Sequence, residues 1–323
     1  MGFMSGIQAQ FRNEALARQD TFKTPEATIT FKNDSFGSVN YNGKTIIDAG
    51  NGNDKIHAHT NDDGSMVLDI NGQKHYLSKE LAANIEIHGG KGDDMITFSG
   101  KATCGPQPNV VVHGGKGNDL IMGGEFGIEM HGDKGNDVLI GGKGDDKIYG
   151  GKGNDQIFGM AGNDTIEGGK GNDTVHGGLG DDKIDGGKGH DVLYGGAGND
   201  EIGGYRGNDK IYGGDGNDIL KGWKGSDEIH GGAGDDKIDG EKGRDRLYGG
   251  DGNDLIEGGG SSDELYGGDG DDRLEGQRGH DFIHGGKGND KLEGNKGNDY
   301  LIGGEGRDDL SGGKGHDVKI QGA

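Results

Sequence analysis

Gly141-Gly142-Lys143-Gly144-Asp145-Asp146-Lys147-Ile148-Tyr149 is followed without a gap by Gly150-Gly151-Lys152-Gly153-Asn154-Asp155-Gln156-Ile157-Phe158, and this nine-residue pattern decides the fold. Followed outward, it runs in unbroken register from Gly114 to Ile320 as 23 units. Position 1 is Gly in all 23, position 6 is Asp in 22 (Ile128 departs), and position 8 is Ile, Leu, Val or Met in 22 (Lys319 departs). A chance Gly-rich tract does not hold three positions over that length, so the repeat is structural.

Composition sets the limits. With 77 Gly and 28% apolar residues in 323, the chain cannot fill a thick core, so a thin, repetitive one is required. A net charge of −23 on so little apolar surface argues against unaided folding. No run of about 20 apolar residues exists for a membrane span, and the N-terminus lacks the charged-then-apolar pattern of a signal peptide. The single cysteine, Cys104, rules out an intramolecular disulfide.

One unit reads as a turn and a strand. Gly at positions 1, 2 and 4 permits positive φ and crowds carbonyls inward; position 6 adds a carboxylate; positions 7 to 9 form a short strand with residue 8 inward. Two units make an 18-residue coil, and successive coils stack at about 4.8 Å. The expected fold is all-β, a parallel β-roll or β-solenoid over 114–320. Ahead of it lie a segment 1–35, whose helix would cap the solenoid or else lead export, and an irregular strand-and-hairpin region 36–113.

Stacking would align the carboxylates in two columns. One holds Asp119, Asp137, Asp155, Asp173, Asp191, Asp209, Asp227, Asp245, Asp263, Asp281, Asp299 and Asp317; the other holds Asp146, Asp164, Asp182, Asp200, Asp218, Asp236, Asp254, Asp272, Asp290 and Asp308. Unneutralised, each column repels itself. Calcium suits carboxylates and carbonyls, taking six to eight oxygens at about 2.3–2.6 Å, whereas magnesium wants a small octahedron and zinc wants nitrogen or sulfur. One ion per gap gives up to about 20 Ca2+, enough to turn the formal charge positive. Weaker sites are expected at Ser261, which replaces a position-4 Gly, and where position 5 is His190, Ser226, Arg244, Ser262, His280 or His316.

The array resembles the RTX (repeats-in-toxin) hemolysin-type calcium-binding repeats of secreted bacterial proteins. The resemblance implies a β-roll around calcium, disorder at micromolar calcium or below, and folding at extracellular, millimolar levels. It also implies type I-like export without a signal peptide, although only Gln321-Gly322-Ala323 follow the repeats here. Isolated copies at Gly50-Asn51-Gly52-Asn53-Asp54 and Gly89-Gly90-Lys91-Gly92-Asp93-Asp94 suggest that a solenoid begins earlier.

Outward positions differ between the two half-coils. One position-9 series is aromatic and apolar, including Tyr194, Tyr212, Tyr248 and Tyr266, and the position-3 turns leading into it carry Lys152, Lys170 and Lys188. Such a surface could bind anionic polysaccharide or lipopolysaccharide by ring stacking and charge pairing. The simpler reading is strand-forming rings and a solubilising Lys row; a third is packing on the N-terminal segment or self-association.

Met1 to about Gln19 has helical spacing of Phe3, Met4, Ile7, Phe11, Ala15 and Leu16. Val39 to Ile46 and Val67 to Leu77 read as Asn-Gly hairpins, Ser78 as the N-cap of a helix through Ala83, and inward-facing Lys319 as a terminator. No His-Glu-x-x-His, Gly-x-Ser-x-Gly or Walker loop occurs, and His57-Ala58-His59 lacks a third ligand, so no enzyme activity and no nucleic-acid partner are expected. The leading expectation is a secreted calcium-binding scaffold or surface-binding module; the alternatives are an adhesin-like polysaccharide binder, and an accessory domain of an enzyme or toxin.

Overall fold

The computed structural model describes residues 28–30, 38–40, 44–101, 103 and 106–322. The helix expected over Met1 to Gln19, the turn at Asn42-Gly43 and Cys104 lie outside them. The chain divides into two compact units, 1–159 and 160–323. Among the described residues no helix is long and apolar enough to cross a membrane.

Unit 160–323 shows the repeat in its regular form, as two parallel sheets. One runs from Thr165–Lys170 through Lys183–Lys188 and Glu201–Gly203 to Asp309–Ser311, the other from Thr174–Leu179 through Val192–Ala197 and Lys210–Asp215 to Val318–Ile320. Strands pair with those 18 residues on: Val175 with Leu193, Leu193 with Ile211, Ile184 with Ile202 and Ile202 with Leu220. This is the β-solenoid of 18-residue coils that the repeat predicts. Val175, Leu193, Ile211 and Ile229 are fully buried, each contributing about 1.5–3 kcal/mol of apolar burial. Each stacks in register on its equivalents one coil before and after, so stability accumulates coil by coil.

The strands do not stop at position 9. In Val192–Ala197 and its equivalents they continue through positions 1 to 3, with positions 8 and 1 buried. The three glycines serve two purposes, which corrects the expectation that all take positive φ. At positions 2 and 4 φ is positive, +122° at Gly196 and +136° at Gly198, and a Cβ on Gly198 would stand 2.1 Å from the Gly180 carbonyl oxygen. At position 1 φ is not positive; a Cβ on Gly195 would instead meet Asp200 Oδ2 at 2.2 Å and the Gly213 carbonyl oxygen at 2.6 Å.

Position 2 accepts side chains by moving to φ near +70°: Tyr205, Trp223, Glu241, Gln277 and Asn295 lie between 65° and 70°. There the strand ends at position 9, and pairing resumes as a single bridge at position 3, as between Arg206 and Lys224.

In unit 1–159 the solenoid begins well before Gly114. Ile47 pairs with Ile87, Ile87 with Val112 and Val112 with Met130, while in the second sheet Ile56 pairs with Ile96, Ile96 with Ile121 and Ile121 with Leu139. The steps are therefore 40, 25 and 18 residues. The first step is long because it carries the antiparallel hairpin Met66–Ile70 with Gln73–Leu77, turning at Asn71 and Gly72 with φ of 51° and 85° as the Asn-Gly reading requires. Thr45–Asp48, from the other expected hairpin, pairs in parallel with Asn84–Lys91.

A short helix, Lys79–Ala82, follows with Leu81 and Ala82 buried. Ser78 stands at its N-cap, but its side chain makes no cap hydrogen bond; the Leu81 and Ala82 N–H groups donate to the Ser78 carbonyl oxygen.

Candidate metal centre

Inward alternation places position 6 beside positions 8 and 1, so the carboxylates are interior. From Asp119 through Asp299 the position-6 Asp residues are no more than 3% exposed. One oxygen of each is used by the backbone. The Asp182 N–H donates to Asp200 Oδ1 at 2.8 Å, Asp200 to Asp218 at 2.8 Å and Asp209 to Asp227 at 2.8 Å. In the first unit Asp119 donates to Asp137 Oδ1 at 2.7 Å and Asp137 to Asp155 at 2.8 Å.

The second oxygen has no such partner. Oδ2 of Asp119, Asp137, Asp182, Asp200, Asp218, Asp227 and Asp245 is buried without a hydrogen bond. It lies against the position-1 Gly of its own unit and the position-1 carbonyl of the next coil, the space a Gly195 Cβ would enter. A buried carboxylate oxygen left unpaired requires a cation or a proton. The metal-ligating groups found against it are carboxylate and carbonyl oxygens, the set calcium takes and zinc does not. The position-6 Asp residues, with these inward carbonyls, would hold the ions; calcium supplies the positive charge the columns lack.

Burial, with like-charged neighbours adding to it, pushes these carboxyls up: to about 8 for Asp245, about 7 for Asp137, Asp182, Asp191 and Asp236, and about 6 for Asp119 and Asp200. An unfolded Asp titrates near 3.9, so the metal-free fold binds protons more tightly than the unfolded chain. Its stability is therefore fully present below about 3.9 and falls as pH rises from there through the folded values of about 6 to 8, above which the loss is complete. In chelator, acidifying from pH 8.5 to pH 5.5 is expected to restore β signal in circular dichroism, a proton standing in for an ion. Equal signal across that window would contradict the placement of the columns.

The first column reaches farther than the continuous repeat. The Asp54 N–H donates to Asp94 Oδ1 at 2.8 Å and Asp94 to Asp119 Oδ1 at 2.8 Å, and Oδ2 of Asp54 and Asp94 is buried and unbonded. These two residues were absent from the sequence-derived columns because insertions displace them from the nine-residue register. Their local Gly-x-Gly-x-Asp copies were the available signal. The second column closes where Ile128 replaces Asp: its N–H donates to Asp146 Oδ1 at 2.8 Å, and Ile128 and Phe126, each 4% exposed, plug the turn.

Position 5, where substitutions were expected to weaken sites, points outward. Its side chains form an exposed ladder accepting from the next coil: Asn172 Oδ1 from the His190 N–H at 2.8 Å, His190 Nδ1 from Asn208 at 2.8 Å, Asn208 Oδ1 from Ser226 at 2.9 Å. His190, Ser226, Ser262 and His280 thus replace Asn or Asp as acceptors. Ser261, at φ 114°, is a backbone departure at a glycine position. In the last coil Asp308 and Asp317 are only half-buried. Lys319, expected to point inward, is exposed, and its Nζ donates to the Leu310 carbonyl at 3.3 Å.

The residues expected to form one aromatic and basic surface fall on different sheets. Tyr194, Tyr212, Tyr248 and Tyr266 lie in one ladder with His176 and His230, rings 4.5–5.0 Å apart and within 14° of parallel. Lys170 and Lys188 end strands of the opposite sheet, and Lys152 ends the strand Lys147–Lys152 in the first unit. His57 and His59 are exposed and hydrogen-bonded to Thr97 and Ser99 at 2.8 and 2.9 Å.

A search of curated proteins returns no match. A scan of protein families matches the RTX calcium-binding nonapeptide repeat over residues 41–63, 109–126 and, in overlapping copies, 131–318. These stretches cover well over half of the chain and coincide with the coils that carry the buried carboxylates, so the chain belongs to the RTX calcium-binding nonapeptide repeat family.

Proposed function

We propose that this is a secreted calcium-binding protein whose roll folds as it takes up about twenty ions and then serves as a rigid extracellular scaffold, without catalysis of its own. The observation that carries the reading is the pair of buried Asp columns, in which the second oxygen of residues such as Asp137, Asp182, Asp200 and Asp227 is buried without a hydrogen bond. Low calcium inside a cell leaves the columns repelling, and the chain stays open enough for export; millimolar calcium outside closes them. A polysaccharide-stacking role gains no support from the Tyr ladder, because each ring's faces are covered by its neighbours. The test is a calcium titration of the full chain followed by far-ultraviolet circular dichroism. A cooperative midpoint between micromolar and millimolar supports the reading; a midpoint well below micromolar means the chain folds before export and removes its basis.

A further inference from the structure

Apart from the Asp columns, one cluster in the first unit carries donors for a different ion. Glu86 and His88 are two apart on strand Asn84–Lys91, so alternation sets both on its outer face, and His113 is the register partner of His88 on Asn109–Lys116. Glu86 Oε1 lies 2.6 Å from His88 Nε2 and 3.9 Å from His113 Nε2. Lys44 holds the other Glu86 oxygen, which leaves Oε1 facing the two imidazoles. On the opposite side of its ring, His113 Nδ1 lies 3.4 Å from Asp133 Oδ2. A carboxylate on that side favours the tautomer with the proton on Nδ1, in which Nε2, on the Glu86 side, carries the lone pair. Asp133 sits at φ 72°, while its register partners before and after are Gly115 and Gly151. A left-handed aspartate therefore occurs at the coil from which it reaches His113.

We propose that Glu86, His88 and His113 bind a divalent transition ion of the zinc class, with Asp133 orienting His113. Zinc holds N and O ligands at about 2.0–2.2 Å, which sets two tetrahedral ligands roughly 3.3 Å apart. The 2.6 and 3.9 Å separations bracket that value, and all three donor atoms lie within 4.8 Å of one another. Closure turns the His88 and His113 rings out of their 4.8 Å stack toward the common ion. Partial exposure, 36% at His88 and 26% at His113, leaves a fourth position for water. Calcium has no preference for imidazole, and the all-oxygen turns have little for zinc, so the two ions sort by donor type. The site clips two coils together across the 25-residue step.

The test uses the full chain in saturating calcium, titrated with Zn2+ by calorimetry and with Co2+ as an absorption probe of coordination. One Zn2+ per chain is expected, with a four-coordinate Co2+ spectrum. His113→Ala should weaken binding at least 100-fold and Asp133→Gly by about 10- to 100-fold. The second variant restores the glycine of the flanking coils, so it relieves the backbone rather than damaging it, and unchanged circular dichroism in calcium verifies this. Absence of Zn2+ uptake, undiminished binding in His113→Ala, or loss only on replacing His57 and His59 overturns the site. An Asp133→Gly chain that binds as tightly as the parent overturns the orienting role.

Discussion

Stripped of calcium at pH 8.5, the full chain is expected to lose most of its β signal and expand, and magnesium at equal concentration should not restore it. The magnitudes point one way. Two carboxylates stacked about 4.8 Å apart repel by roughly 3 kcal/mol at an effective dielectric of 20, and that cost recurs at gap after gap in each column. A domain has about 5–15 kcal/mol of net stability to set against it. The aliphatic ladder cannot absorb such a load, since each coil contributes only two position-8 side chains, such as Leu193 and Ile202. Protonation is the only other relief, and at pH 8.5 the raised carboxyls, the highest at about 8, are mostly ionised. Far-ultraviolet circular dichroism with small-angle scattering reads the result. Retained β signal and unchanged dimensions in chelator would mean that the ladder alone sustains the roll.

Gly225→Ala is expected to cost at least about 4 kcal/mol in saturating calcium, whereas Trp223→Gly, two residues earlier in the same turn, should cost no more than about 2 kcal/mol. At Gly225 φ is +145°, and a Cβ would fall 1.3 Å from the Gly207 carbonyl oxygen, a backbone atom that cannot rotate away. The coil would have to separate from the one before it, breaking a nearest-neighbour interface in a structure whose stability is a sum of such terms. Trp223 already occupies a left-handed φ of 69° and is 38% exposed, stacked on Tyr205 at 5.6 Å, so its removal gives up one ring contact and relieves the backbone. Urea unfolding at fixed calcium measures both. Similar losses for the two variants would show that position 4 does not set the approach of the coils.

The nine-residue register made the coil length, the two sheets and the inward Asp columns legible, because side-chain alternation and a fixed period leave little freedom once position 8 is known to be buried. Asp54 and Asp94 escaped it because the hairpin after Thr60 and the insertion near residues 101–108 stretch the first two steps to 40 and 25 residues, while the stacking itself is unaffected. The sheet assignment of Lys188 was missed for a different reason. A strand ended at position 9 puts Lys188 in a turn, but pairing continues through Gly186 and Gly187, the latter at φ 97°, and carries the strand to position 3, in the sheet opposite Tyr194. The outward direction of Asn208 and His190 was hidden because alternation does not hold through a turn with positive φ at Gly189 and Gly207. The Glu86, His88 and His113 cluster was illegible because pairing at 25 residues, not 18, brings His88 to His113.

The central claim, that calcium fills the two buried carboxylate columns, is tested most directly by counting ions. Equilibrium dialysis of the full chain in saturating calcium, with the metal measured by atomic emission, should give about twenty calcium ions per chain. A count of only two or three, with the roll fully formed by circular dichroism, would contradict it.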